Sequence, residues 1–118
     1  MPITKLQQFK KEPKFEAESK GIFNGLAKPK LKPKLTELLN QTADDFISTT
    51  KNNPSDKKYQ DDIRKGLSRF NSFYLDLDTE DREKVCSYFE ELMDCVGLQS
   101  SDGALNKWLY GFDPTKKQ

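Results

Sequence analysis

No histidine occurs anywhere in the chain. That removes the most frequent general base and rules out Ser–His–Asp and Cys–His nucleophilic arrangements. Cysteine is nearly absent as well, with only Cys86 and Cys95. Placed on one helix, nine residues apart, they lie about 13 Å from each other and on opposite sides, too far to bridge or to share an ion. Both are expected as reduced thiols, which fits the cytoplasm. No glycine-rich phosphate loop is present. No window reaches the eighteen apolar residues of a membrane span, and "MPITKLQQFKKEPK" lacks the apolar stretch and cleavage site of a signal peptide. We therefore expect a protein that is not an enzyme and that carries no cofactor and no metal. Carboxylate- or lysine-based catalysis is the alternative, without a motif to support it.

What the chain does have is charge. Its 118 residues are 33% charged and 34% hydrophobic, with net charge +1. This is a lean core under a polar surface, sized for a single domain over 1–118. The charge is uneven. Residues 1–35 carry nine lysines against Glu12, Glu16 and Glu18, giving +6, which leaves −5 for the remainder. The expected organisation is a basic N-terminal arm, 1–35, with short helices, followed by a helical core over 36–118.

The fold class read from periodicity is all-α, a compact bundle of four to five helices with an extended Lys/Pro connector near residues 27–35. Ile3, Leu6 and Phe9 mark a short helix that Pro13 interrupts, and a second short helix is expected over 13–20, stopped by Gly21 and Ile22. Leu35, Leu38, Leu39, Thr42, Ala43, Phe46 and Ile47 form a helical stripe running to about Thr50. Ser55 or Asp56 caps a third helix through Tyr59, Ile63, Leu67, Phe70 and Phe73 or Tyr74, with the turn expected at Asp76 to Asp78 and Gly66 marking the close approach of a neighbour. Asp78 or Thr79 caps a fourth, whose buried face is Val85, Phe89, Leu92, Met93 and Val96 and whose stop is Gly97. Ser101 caps a last short helix that points Leu105, Trp108 and Leu109 inward.

Two stretches invite functional readings. In "AKPKLKPKL", an extended backbone puts Lys28, Lys30, Lys32 and Lys34 on one face and Pro29, Leu31, Pro33 and Leu35 on the other. The strip is either an anion-binding surface for nucleic acid or anionic lipid, or a connector whose apolar face lies on the bundle. Interleaved aromatics, which would stack on bases, are missing. The second stretch is acidic: residues 76–94 hold eight acids against Arg82 and Lys84. "DLDTEDRE" fails as an EF-hand, because its sixth and twelfth positions are Asp81 and Ser87. The acids are read as a partner-binding surface made of Asp76, Asp78, Glu80, Asp81, Glu90, Glu91 and Asp94, joined by Tyr110. The competing reading is a helix start with a solvated face.

The run from Leu77 to Pro114, with "FEELMD", the "VGL" stop, "SSDG" and "LNKWLYGFDP", resembles the C-terminal half of a small bacterial domain family without an assigned function. The resemblance implies a compact helical domain and supplies no catalytic residue. Bacterial immunity proteins and antitoxin-like inhibitors share the broader profile: short, highly charged and free of catalytic motifs. The expected function is thus a small cytoplasmic protein-binding module of the inhibitor or immunity type, whose partner is another protein, such as a basic toxin or effector. Binding of nucleic acid through the lysine strip is the alternative, and no membrane is expected as partner.

Overall fold

The computed structural model describes residues 2–18 and 23–111. It is all-helical, with α1 at Pro2–Lys11, α2 at Lys32–Lys51, α3 at Asp56–Phe70, α4 at Thr79–Val96 and a single turn, α5, at Ala104–Asn106. Two 3₁₀ segments, Pro29–Leu31 and Asn71–Asp76, lead into α2 and out of α3, and a π-helical turn, Lys107–Gly111, follows α5. Among the described residues no helix is long and apolar enough to cross a membrane. The expected stop at Gly21 and Ile22 lies outside the described residues.

α2 is the centre of the bundle, packed against α3 on one side and α1 on the other, and α4 closes over α1 and α2. Leu35, Leu39 and Phe46 of α2, Ile63 and Phe70 of α3, and Val85, Phe89 and Leu92 of α4 lose essentially all contact with water. At Gly66, α3 meets both α2 and α4 with no room for a side chain. A Cβ there would lie 3.0 Å from Thr42 Cγ2 and 2.9 Å from Phe89 Cε1, so only hydrogen fits between α2 and α4.

The local signals act where expected. The Ser55 side chain accepts from the Lys58 N–H and opens α3. Asp78 opens α4 with a reciprocal capping box: its carboxylate accepts from the Asp81 N–H at 2.8 Å, and Asp81 accepts from the Asp78 N–H at 3.1 Å. Gly97 ends α4 at φ 73°, and the Leu98 N–H returns to the Met93 carbonyl at 2.9 Å. The last helix departs from this: Gly103, at φ 78°, and not Ser101 is its cap residue, and the Ser101 hydroxyl instead accepts from the Leu105 N–H at 3.4 Å.

Further expectations are corrected. α3 ends at Phe70, and Phe73 and Tyr74 stand in the 3₁₀ segment that follows. Residues 13–18 are not helical: Phe15 stands at φ 61°. Its ring is drawn between Phe23 and Tyr88, and its N–H donates to the Tyr88 hydroxyl at 2.8 Å, a geometry a helix would not permit. The connector is not extended throughout 27–35 either. It curls into the 3₁₀ turn at Pro29, and α2 begins at Lys32. Pro33 is compatible with that because N–H groups in a first helical turn have no intrahelical acceptor to lose.

Candidate functional site

The N-terminal segment crosses α4 and is fastened to it at several points. Tyr88 holds Phe15, and Lys84 of α4 pairs with Glu18 at 3.1 Å. Further along, the Ala27 N–H donates to Asp81 Oδ2 at 3.2 Å, and Lys28 pairs with Asp76. Lys14 is the least ordinary member of this strap. It is only 2% exposed, and its ammonium donates to the carbonyls of Phe9 and Glu12, the latter at 3.0 Å, while sitting 4.1 Å from the Phe9 ring centroid. It closes the C-terminal end of α1, where free carbonyls favour a cation. Burial pushes its pKa below the ordinary value, against the pull of Glu12 and Glu91.

Above Lys14, α1 and α4 diverge into a shallow cleft of 370 Å³. Lys5, Phe9 and Glu12 line its α1 side, and Glu91, Asp94 and Cys95 its α4 side. A smaller hollow of 100 Å³ continues from it towards Lys14 and Tyr88, sharing Phe9, Glu12 and Glu91. The floor is apolar and the rim is acidic. Glu12, Glu91 and Asp94 make no ion pair among the described residues, whereas Glu16, Glu18, Asp44, Asp45, Asp76 and Asp102 each pair with a lysine or arginine from another part of the chain. The Glu91 carboxyl is raised above its ordinary value, first by burial and then by the Glu12 charge, with Asp94 adding to it; Lys84 and Lys14 offset part of the rise. Cys95 is half-buried at the rim, and burial likewise lifts its thiol pKa.

The acids that adjoin in sequence do not form one surface. Glu91 and Asp94 face α1, but Glu90 lies across the helix on a separate 430 Å³ cleft, with Glu83 and the Ser100–Ser101 segment. Asp76 is neutralised by Lys28. Glu80 is exposed in the first turn of α4, and Asp78 is spent on the cap. Asp81, expected as a contact residue, is 0% exposed and unavailable to a partner. Its Oδ2 takes the Asp78 and Ala27 N–H groups, its Oδ1 has no partner among the described residues, and burial raises its pKa. Tyr110 is 78% exposed, but it sits on the π-helical turn, at the end of the bundle held by Tyr74. The lysine strip is also dispersed: Lys28 pairs with Asp76, Lys32 with Glu16 and Lys34 with Glu37, leaving Lys30 without an ion pair among the described residues.

Glu12 and Lys14 escaped the sequence reading because nothing local distinguishes them from the surrounding basic arm. The only available signal was Phe9, whose helical register places α1's apolar side beside both residues. Among the described residues no group of three or more Cys, Asp or Glu is placed to hold a metal ion.

A family model described as a domain of unknown function, DUF4844, matches residues 2–113. The chain is also similar to the crystal structure of a DUF3571 family protein from Acinetobacter baumannii AYE. That likeness has a TM-score of 0.83 and 36% sequence identity, and spans 93% of this chain and 89% of that one. No curated protein matches. Both similarities bear out the resemblance to a small helical family without an assigned function.

Proposed function

The chain belongs to the DUF4844 family, and from the α1–α4 cleft we propose that it is a non-catalytic binding module for another protein. The segment it takes presents an apolar side chain flanked by lysine or arginine. The observation that carries this reading is the contrast in charge pairing. Glu16, Glu18, Asp44, Asp45, Asp76 and Asp102 are matched by basic groups from distant parts of the chain, while Glu12, Glu91 and Asp94 gather at one cleft with no ion pair among the described residues; Glu80, Glu83 and Glu90 also lack one but lie away from this cleft. A cation entering there relieves mutual repulsion at Glu91, and an apolar side chain against Phe9 gains from leaving water. The basic groups nearby do not fill this role. Lys14 is committed to two carbonyls, Lys84 to Glu18, and Lys5 stands at the rim.

In its finer form the reading is a cytoplasmic inhibitor or immunity-type protein that occludes a basic partner by steric cover. Complementary charge speeds encounter and a buried anchor slows release. Affinity capture from native lysate at low and high salt tests it, using wild type, a Glu12→Lys/Glu91→Lys/Asp94→Lys variant and a Glu80→Lys/Glu90→Lys control. The expected result is one stoichiometric partner, held by wild type and the control, lost from the cleft variant, and inhibited on addition of this chain. A partner that binds the cleft variant as well as wild type overturns the reading. The ion pairs of Lys28, Lys32 and Lys34 weigh against the nucleic-acid alternative, which would require salt-labile absorbance at 260 nm in the same capture.

A further inference from the structure

A second groove, independent of the acidic cleft, opens between α3 and the C-terminal turns, with a volume of 310 Å³. Arg64, Leu67, Ser68 and Asn71 recur at i, i+3, i+4 and i+7 and so form one wall. Ala104, Lys107 and Trp108 form the other, on α5 and the π-helical turn. Such turns widen a helix locally and are frequent at binding sites. The floor is apolar and well ordered. Leu67, Ala104 and Trp108 are buried, and the indole is fixed on three sides, edge-on to Phe70 and to Tyr74 and donating its Nε1–H to Asn71 Oδ1 at 3.1 Å.

The charged groups on this groove are both cationic. Lys107 makes no ion pair among the described residues. The Arg64 guanidinium is held by Asp61 at 3.1 Å through Nη1 and by Asp102 at 2.9 Å through Nη2, which fixes its position and leaves further N–H donors unspent. Asn71 uses its carbonyl oxygen on the indole, and its amide hydrogens have no acceptor among the described residues. An apolar floor, one cation at the rim without an ion pair among the described residues, a second held between two aspartates, and an amide donor without an acceptor there suit a small anion with an apolar body.

We propose that this groove binds a small organic carboxylate with an aromatic or aliphatic body, its apolar part on Trp108, Leu67 and Ala104 and its carboxylate between Lys107 and Arg64. The volume is at the small end for ligand sites, enough for one ring and a short acidic arm. Because both aspartates already share Arg64, Lys107 supplies most of the uncompensated charge and is the residue on which selectivity for an anion depends.

Trp108 is the only tryptophan in the chain, so its fluorescence and its indole N–H resonance report this groove alone. Phenylacetate is the probe, with 2-phenylethanol as the neutral analogue of similar shape. The expected result is a saturable change in both signals with phenylacetate, at least about tenfold weaker for the alcohol and for Lys107→Met, as loss of one charge-assisted hydrogen bond implies. Lys107 is exposed, so that variant is expected to melt like wild type. A linear, non-saturating response overturns the proposal, as does equal binding of the alcohol or of the Lys107→Met protein.

Discussion

Replacing Gly66 with alanine sets two effects of known size against each other. Alanine in a helix interior is favoured over glycine by about 1 kcal/mol. Against this, the new methyl would meet Thr42 and Phe89, with Phe89 Cε1 at 2.9 Å and Thr42 Cγ2 at 3.0 Å. Neither neighbour yields easily. Phe89 is fully buried against Phe70, and Thr42 is tied at both ends, donating to the Leu38 carbonyl at 3.3 Å and accepting from Arg69 at 3.2 Å. Arg69 is itself anchored to Asp45 at 2.8 Å, so the strain passes into a network instead of into solvent. Overpacking costs roughly 1–3 kcal/mol, and with neither neighbour free to yield the upper part of that range, about 2–3 kcal/mol, applies. We therefore expect Gly66→Ala to lose about 1–2 kcal/mol net, seen as a lower urea midpoint at unchanged slope and a melting temperature down by roughly 5–10 °C. In a double-mutant cycle, Thr42→Ala should recover about 1 kcal/mol of that loss by removing two of the three clashing atoms. A Gly66→Ala protein as stable as wild type, or additivity in the cycle, would refute the claim that this glycine sets the spacing of α2, α3 and α4.

The remaining predictions concern the strap and the cleft. The Glu91 carboxyl is raised above 4.5 by burial and by Glu12 and Asp94, so the native state holds that proton more tightly than the unfolded chain. Its contribution therefore falls as pH rises from 4.5 through the raised value, and Glu91→Gln should equal or exceed wild-type stability near neutrality, with the advantage gone by about pH 4. Unfolding midpoints at the two pH values check this, and an advantage that grew on acidification would be the wrong sign. Asp81→Ala removes the acceptor shared by Asp78 and Ala27; a loss of about 1–2 kcal/mol is expected, with faster hydrogen exchange at the Ala27 amide. Unchanged exchange there would mean the strap is held without Asp81. The Cys86 thiol is buried and pushed up to about 12 by desolvation, with Glu90 and Glu83 adding to it, whereas Cys95 is only half-buried. Iodoacetamide should label Cys95 first, and mass mapping that found Cys86 modified first would contradict the placement of α4.

The helices were legible in the sequence because their signals are local. Ser55, Asp78 and Gly97 act within four residues of themselves, and the α2 stripe needs only its own periodicity. Phe15 was not legible, because its left-handed backbone depends on Tyr88, 73 residues away. Asp81 illustrates the same limit at the site. In sequence it is one more acid in a first helical turn, and only the chain passing over it at Ala27 makes it an interior group. The acidic patch was read as continuous because its members are neighbours in order. On a helix Glu90 and Glu91 point about 100° apart, enough to assign them to different clefts. Glu12 completes the rim only after α1 has packed on α4, a pairing that no periodicity encodes.

The strap also sets an order of events during synthesis. Phe15, Ala27 and Lys28 all depend on groups between Asp76 and Tyr88, so a segment made before α2 gains its partners only after α4 is made. Until α4 has emerged, α1 can pack on α2, but Phe9 and Phe15 lack the Tyr88 ring that covers them, and this basic, aromatic stretch is only partly closed. α2 and α3, adjacent in the chain and joined by a short turn, have no such delay. Long closures are slow to form, and waiting apolar segments are where chaperones engage. The nine lysines among residues 1–35 would then have a use that requires no ligand, keeping this stretch soluble until α4 arrives.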